Sequence, residues 1–122
     1  KLELTKFIRY KTMTLLKKIR EGELTVGSWI TLAHPAIAEI MSKAEFDWLA
    51  VDLEHSVITI REAEELIRVI NLSGVTPLVR LTSNDPNQIK RVMDSGSHGI
   101  IVPMVNSPED AERAVASVKS PP

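Results

Sequence analysis

The stretch that decides the fold is WLAVDLEHSVITIREAEELIRVINLSG, residues 48–74. It begins with an apolar run typical of a buried strand, passes through a short polar segment, and continues with apolar residues at the spacing of an amphipathic helix. Thr59 and Glu62 form the capping-box pattern that starts a helix, and Gly74 is a typical helix end. The stretch therefore predicts one strand–helix unit.

Similar units lie on both sides of this stretch. The four predicted strands are residues 26–32, 48–54, 77–81 and 99–105. The helices that follow them are predicted to start at His34-Pro35, Thr59, Asp85-Pro86 and Ser107-Pro108, where a capping side chain or a proline at the first helical position is expected. A leading helix, with apolar residues between Phe7 and Ile19, precedes the first strand and ends near Gly22.

Strands that alternate with helices indicate a parallel sheet covered by helices. From the pattern alone, two architectures fit: a small open, doubly wound sheet, or the first half of an eight-stranded barrel. Both gather functional residues at the carboxyl ends of the strands. We expect a single partial domain, with residues 1–22 as the N-terminal helix and residues 23–122 as four strand–helix units.

The composition limits the classes of function. The 122 residues carry a net charge of -1, which gives no indication of nucleic-acid binding. There is no cysteine, which excludes disulfides and a cysteine nucleophile and fits a cytoplasmic protein, and no apolar run approaches the roughly 18 residues of a membrane span. Seven of the 15 basic residues lie in the first 20 positions. They could form the solvated face of a helix or a binding site for an anionic partner.

Ionisable residues follow the second and third predicted strands. Asp52, Glu54 and His55 come where the second strand ends, and Arg80 lies within the third. Burying an unpaired guanidinium group costs several kcal/mol, so Arg80 must face a carboxylate, a bound anion or solvent. Asp52 could form a structural ion pair with it, and Glu54 could be a solvated loop carboxylate. A planar donor group also suits a substrate carboxylate or a developing oxyanion.

Other polar residues have weaker indications. His34 is expected to be structural at a helix start, and His98 to be exposed in a loop. Asp94 lies late in a helix, where a negative charge is mildly unfavourable, which invites a second explanation. Asp52, Glu54 and His55 could also ligate a divalent cation, although their spacing alone is weak evidence. No glycine-rich phosphate loop and no GxSxG serine motif is present.

Three segments together resemble the HpcH/HpaI family of metal-dependent, class II aldolases that act on pyruvate-derived 2-oxo acids. They are GSWITLAHPAIAEIMSKAEFDWLAVDLEH (27–55), TPLVRL (76–81) and NDPNQIKRVMDSGSHGIIVPMVNSPEDA (84–111). Members of the family are (β/α)8 TIM barrels of about twice this length. The resemblance therefore implies the N-terminal half of such a barrel, as a piece of a longer enzyme or, less favoured, a short protein that completes its barrel by dimerising.

The resemblance also implies roles for individual residues. His55, in the D-x-E-H segment, corresponds to the catalytic base, and Asp94, in RVMDSG, to the carboxylate that pairs with it. Arg80 corresponds to the arginine that contacts the keto oxygen of the substrate and stabilises the enolate. Asp52 matches the acidic position beside the base, and Trp29 an aromatic residue lining the pocket. The catalytic set is thus His55, Arg80, Asp94 and Asp52, with Trp29 and Arg80 binding substrate.

A divalent cation, Mg²⁺, Mn²⁺ or Co²⁺, is implied as cofactor, with a glutamate and an aspartate ligand expected beyond residue 122. The implied activity is the cleavage of 4-hydroxy-2-oxo acids, such as 2-keto-3-deoxy sugar acids, to pyruvate and an aldehyde, or their formation from these two compounds. The resemblance also implies a homo-oligomer, specifically a hexamer. His34 departs from the aspartate of many relatives, and Ser56-Val57 from their usual turn. The alternatives are a citramalyl- or malyl-CoA-type lyase and a non-catalytic anion-binding half-barrel.

Overall fold

A computed structural model describes residues 15–119 of the chain. Residues 15–20 are helical and are called α1 here. They are followed by β1 (Gly27–Ile30), α2 (Pro35–Ser42), β2 (Trp48–Asp52), α3 (Ile60–Leu72), β3 (Thr76–Arg80), α4 (Pro86–Asp94), β4 (Gly99–Ile101) and α5 (Pro108–Val118). None of the helices within residues 15–119 has both the length and the apolar content of a membrane span.

The four strands form one parallel sheet in the order β1-β2-β3-β4, so each strand pairs with the next along the chain. Because crossovers between parallel strands are right-handed, a sequential order puts all the connecting helices on one face of the sheet. A doubly wound sheet would need a reversal of strand order to cover both faces. The sheet is therefore that of a half barrel, which confirms the second of the two predicted architectures.

Alternation along each strand divides its side chains between two faces. In β2, Leu49 and Val51 are fully buried in the core beneath the helices, with residues of α3 such as Leu66 and Ile70. We call the opposite side of the sheet the inner face. Its side chains include Trp29, Trp48, Ala50, Asp52, Leu78 and Arg80.

Each of the four helix starts predicted from capping residues is confirmed. The side chains of His34, Thr59, Asp85 and Ser107 accept hydrogen bonds from backbone N–H groups of the first helical turn. Thr59 and Glu62 complete the predicted capping box, with Glu62 Oε1 3.0 Å from the Thr59 nitrogen. These caps fix where each chain segment turns from a strand end into its helix.

The strands are shorter than predicted, since β1, β2 and β4 were expected to run to residues 32, 54 and 105. After Asp52 the chain turns, because the backbone N–H groups of Glu54 and His55 donate to the Asp52 carboxylate instead of to a neighbouring strand. After Ile101, Pro103 has no N–H for a ladder and Met104 adopts a φ of 55°, which leaves the extended conformation.

The helix α1 is attached at the amino-terminal ends of the strands. Lys18 Nζ lies 3.0 Å from Asp47 Oδ1, and Asp47 Oδ2 accepts a 2.8 Å hydrogen bond from the Val26 nitrogen. Gly22, with a φ of 69°, follows α1, as predicted for its end. The predicted positions Phe7 to Met13, and the basic residues Lys1, Lys6, Arg9 and Lys11, lie outside the described residues.

Candidate active site

The side chains of Asp52 and Arg80 meet at the carboxyl ends of β2 and β3. The two residues are register partners, so their side chains emerge on the same face of the sheet. Arg80 Nε lies 3.0 Å from Asp52 Oδ1 and Arg80 Nη2 lies 2.7 Å from Asp52 Oδ2, which is a bidentate ion pair. The structural pairing considered from sequence is therefore made, and it fixes the plane of the guanidinium group.

The Asp52 carboxylate also shapes the loop that carries the neighbouring ionisable residues. Its side chain is 2% exposed. Oδ1 accepts hydrogen bonds from the backbone nitrogens of Glu54, at 2.9 Å, and His55, at 3.3 Å. The hydrogen bond from Arg80 lowers the pKa of Asp52 below its ordinary value of 3.8, and burial offsets part of this lowering. Asp52 is thus held as a carboxylate that anchors both Arg80 and the loop.

The lowered pKa of Asp52 predicts an acid-sensitive contribution to stability. Because the folded-state pKa lies below the unfolded one, this contribution is fully present above about pH 4 and is lost as the pH falls through the folded-state value. We expect Asp52→Asn to flatten the dependence of the unfolding free energy on pH below about pH 4, measured by urea titration. An equal slope in the two proteins would contradict the prediction.

Glu54 joins His55 to Arg80. Its Oε1 atom lies 3.1 Å from His55 Nε2 and 3.6 Å from Arg80 Nε. The Glu54 side chain is 21% exposed, so it is not the freely solvated carboxylate considered as an alternative, whereas the His55 side chain is 72% exposed. One carboxylate oxygen therefore contacts both the imidazole and the guanidinium, which puts these two groups within reach of one small molecule.

Trp29 covers one side of the Arg80 guanidinium. The Arg80 Cζ atom lies 4.3 Å from the centroid of the Trp29 ring, a cation–π contact, and Trp48 packs edge-on against Trp29. Within residues 15–119, the Nη1 edge of Arg80 has no hydrogen bond or ion pair. That edge is the part of the group that can receive a ligand oxygen.

The structure places Asp94 far from His55 within one chain. Asp94 is the last residue of α4, and α4 runs back from the carboxyl end of β3 to the amino end of β4. A nine-residue helix spans roughly 13 Å at 1.5 Å per residue, so Asp94 lies toward the opposite end of the sheet. Among the described residues, the ion-pair partner of His55 is Glu54. The expected pairing of Asp94 with His55 is therefore not made inside a single chain.

The other two histidines lie outside this cluster. His34 is exposed and caps α2, with Nδ1 accepting a 3.1 Å hydrogen bond from the Ala36 nitrogen, as expected for a structural residue. His98 is exposed near the amino end of β4, as expected, and partial burial lowers its pKa from the ordinary 6.5. Among residues 15–119, neither of these histidines forms an ion pair with Glu54 as His55 does.

The described residues do not form a metal site by themselves. No group of three or more potential ligands that could hold a metal ion occurs within residues 15–119. Asp52 is saturated by Arg80 and by two backbone N–H groups, and Glu54 is shared between Arg80 and His55. The cation site considered for Asp52, Glu54 and His55 is therefore not supported.

Comparison with known proteins identifies the family. Residues 25–122 match the family model described as HpcH/HpaI aldolase/citrate lyase. The chain belongs to this family. HpcH/HpaI relatives of known name include the 2-dehydro-3,6-dideoxy-6-sulfogluconate aldolase of Pseudomonas putida, 41% identical over 85% of this chain and 41% of the relative. The hydroxypyruvate/pyruvate aldolase of Sagittula stellata is 36% identical over the same shares.

A solved HpcH/HpaI structure agrees with the half-barrel architecture. The HpcH/HpaI aldolase from Desulfitobacterium hafniense superposes with a TM-score of 0.79 at 36% sequence identity, covering 88% of this chain and 42% of that protein. The chain thus spans about two-fifths of the length of the family members it matches. The resemblance noted from the sequence and the expected fold are both confirmed.

Proposed function

We propose that the full-length protein is a class II aldolase that cleaves or forms 4-hydroxy-2-oxo acids, with pyruvate or a close 2-oxo acid as the nucleophile. The observation that carries the proposal is the cluster at the ends of β2 and β3, where one Glu54 oxygen contacts both His55 and Arg80. This cluster combines a base with a fixed cation, the two groups that enolate chemistry requires.

Arg80 is the residue we assign to substrate binding. Its Nε and Nη2 atoms are engaged by Asp52, which leaves Nη1 to meet the keto oxygen of a 2-oxo acid. Because Asp52 and the Trp29 ring hold the guanidinium plane, the positive charge is in place before negative charge develops on that oxygen. Trp29 in this proposal also lines the pocket on the side of β1.

His55 is the residue we assign to proton transfer. In the cleavage direction it takes the proton of the C4 hydroxyl, the C3–C4 bond breaks, and the electron pair moves to the keto oxygen as an enolate. The new carbonyl leaves as the aldehyde, and the protonated imidazole of His55 returns its proton to C3, which completes pyruvate and restores the base. An imidazole suits both steps because it exchanges protons readily near neutral pH.

The activity can be tested by pyruvate release. We propose that the full-length protein needs a divalent cation, with ligands outside residues 15–119. After treatment with EDTA and removal of the chelator, pyruvate release from a 4-hydroxy-2-oxo acid is expected to disappear, and Mg²⁺, Mn²⁺ or Co²⁺ to restore it. Release that is unchanged by EDTA would overturn the metal requirement, and no release with any of the three ions would overturn the aldolase proposal.

We further propose that Asp94 acts across a subunit boundary in a homo-oligomer, a hexamer by resemblance. Since Asp94 and His55 lie toward opposite ends of one sheet, Asp94 can pair with the imidazole only of a second copy. Loss of a carboxylate that orients a functional histidine typically lowers activity 10- to 100-fold, so we expect Asp94→Ala to lower turnover by about this factor.

A mixing experiment tests the Asp94 proposal directly. Subunits carrying His55→Ala and subunits carrying Asp94→Ala are unfolded together and refolded as mixed oligomers. Sites that join the intact His55 of one subunit to the intact Asp94 of another should raise turnover above that of either parent. Activity equal to the average of the two parents would contradict action across the boundary.

We also propose the location, the partners and the domain organisation that were expected from the sequence. They are a cytoplasmic location, small-molecule partners only, and a single partial domain in which residues 1–22 lead into the strand–helix units of residues 23–122. We see no specific feature that favours a citramalyl- or malyl-CoA-type lyase, or a non-catalytic anion-binding half-barrel, over the aldolase.

A further inference from the structure

We propose that Trp48 is a positioning residue that holds the Trp29 ring over the guanidinium group of Arg80. Its own ring is seated on the backbone of Gly27. The effect expected on turnover rests on the proposed function, which assigns Arg80 to substrate binding, whereas the effect expected on the position of Arg80 does not. Trp48 has no role in the site so far, although its ring contacts Trp29.

Gly27 provides the space that the Trp48 ring occupies. The two residues are register partners on β1 and β2. A Cβ atom added at Gly27 would lie 2.0, 2.1 and 2.4 Å from the Cδ2, Cε2 and Cε3 atoms of Trp48, where no side-chain carbon fits. The ring therefore lies directly against the backbone of β1, a close approach of the kind that a glycine within a strand permits. The indole nitrogen also donates a 3.4 Å hydrogen bond to Thr25 Oγ1, on the segment before β1.

The seated ring restricts Trp29. Trp29 lies two residues after Gly27 on β1, so the side chains of Trp29 and Trp48 are on the same face of the sheet. The two ring centroids are 6.0 Å apart and the ring planes are at 79°, an edge-to-face pair within the preferred range. Trp29 is 41% exposed, and its register partner Ala50 has only a methyl group with which to orient an indole. Trp48 therefore determines where the Trp29 ring lies.

Trp29 in turn restricts Arg80. Asp52 accepts hydrogen bonds from Nε and Nη2 of Arg80, which fixes one edge of the guanidinium group but restricts tilting about that edge less. The face of Trp29 lies against the group, with its centroid 4.3 Å from Arg80 Cζ, and a cation is attracted to such a face. The direction of the Nη1 edge, which we assign to the keto oxygen, thus depends on Trp48 through Trp29.

The position of Arg80 can be followed without any activity. In ¹H–¹⁵N spectra of the full-length protein, the Arg80 Nε–H signal is assigned by its loss in Arg80→Lys. Because the Trp29 ring current shifts this proton upfield, Trp29→Leu should move the signal downfield by the full amount. We expect Trp48→Leu to give a large part of the same displacement, and Trp48→Phe, which still presents a ring edge, to give little. An unmoved signal in Trp48→Leu would overturn the inference.

A glycine pair tests the seat of the ring. Gly27→Ala leaves both tryptophans in place but displaces Trp48, so it should move the Arg80 signal as Trp48→Leu does. Gly99→Ala is the matched control, since its Cβ atom would meet only the end of a flexible side chain, Leu78 Cδ2 at 3.0 Å, and it should leave the signal in place. Equal displacements in the two glycine variants would contradict the seating of Trp48 on Gly27. If Gly27→Ala does not fold, the two Trp48 variants decide the inference.

A double-mutant cycle measures the consequence for turnover. We expect Trp48→Leu to lower kcat/KM for pyruvate release about 2- to 10-fold, the factor that corresponds to one lost aromatic contact. In a Trp29→Leu background the same substitution should have little further effect, because Trp48 acts through Trp29. Additive losses would overturn the inference. If the Arg80 signal moves as expected but the wild-type protein releases no pyruvate, the proposed function fails while the positioning of Arg80 by Trp48 stands.

Discussion

If the full-length protein has the proposed aldolase activity, replacing His55 by alanine is expected to lower its turnover by about 10²- to 10⁴-fold, the usual contribution of a general base. His55 is the histidine that contacts the Glu54 carboxylate beside Arg80 at the carboxyl ends of β2 and β3, and its ring is exposed there. The nearest carboxylates are held by Arg80, since Asp52 forms a bidentate pair with it and Glu54 Oε1 lies 3.6 Å from its Nε atom. The measurement is kcat for pyruvate release under saturating substrate.

A matched control separates the loss of a base from the loss of a histidine in general. His98→Ala removes the same side chain from an exposed position near the amino end of β4, and it should leave kcat within about twofold of wild type. Because the His55 side chain is mostly exposed, its removal should also leave the fold intact. Turnover of His55→Ala at the wild-type rate would remove this residue from the mechanism.

The second large effect is expected at Arg80. Removing one preorganised donor from a developing oxyanion typically costs 10²- to 10³-fold in rate, and we expect at least this loss in kcat/KM for Arg80→Ala. Arg80→Lys keeps the positive charge but not the planar group that satisfies Asp52 at two points, so it should recover only part of the activity. Arg68→Ala, which breaks an exposed pair with Glu64, is the control and should be near neutral.

Stability measurements show whether an inactive Arg80 variant is merely misfolded. Arg80→Ala leaves the buried Asp52 carboxylate without its cation, so the melting temperature should fall. Adding Asp52→Asn removes the unpaired charge and should recover part of the melting temperature without recovering activity. Recovery of activity together with stability would show that Arg80 acts only through the fold, and would contradict its role in substrate binding.

Local chemistry explains why the sequence predicts the fold well. A capping residue acts within its own helical turn, so Thr59 with Glu62, and Asp85 before Pro86, predict helix starts that the structure confirms. The strand ends are less predictable, because Asp52 and Met104 leave the sheet through side-chain hydrogen bonds and a φ of 55° that no periodic pattern encodes. The alternation of strands and helices in the sequence fits both an open doubly wound sheet and a half barrel. The order β1-β2-β3-β4 in the sheet shows that the fold is the half barrel.

Packing between elements is where sequence reasoning fails. Helical spacing would group Ile40 with Ile37 and Met41 on one buried face, but Ile40 is 67% exposed and Ala38 is fully buried in its place. A small residue at that point lets α2 lie close to its neighbours, which periodicity alone does not reveal. Helical spacing would likewise place Val115 of α5 with Ala111 and Ala114 on an inward face, but Val115 is 53% exposed, because the described residues provide no element to cover it.

Part of the candidate site was predictable from the pairing of neighbouring strands. Parallel pairing of neighbouring strands is enough to bring Asp52 and Arg80 together, and both were expected at this edge. The position of Glu54 between His55 and Arg80 depends on the turn after Asp52, so these two contacts were not predicted from the sequence. The pairing of Asp94 with His55 remains a prediction, because sequence similarity alone does not say whether two residues meet within one chain or between two.

The most direct test of the account is exchange of the methyl protons of pyruvate for deuterium in D₂O, catalysed by the full-length protein with a divalent cation and followed by ¹H NMR. This reaction needs the enolate but no aldehyde, so it does not depend on knowing the second substrate. The account predicts exchange by the wild type that is nearly lost in His55→Ala and in Arg80→Ala and is retained in His98→Ala. Equal exchange in the wild type and in His55→Ala would contradict the claim that His55 and Arg80 form one site for enolate chemistry.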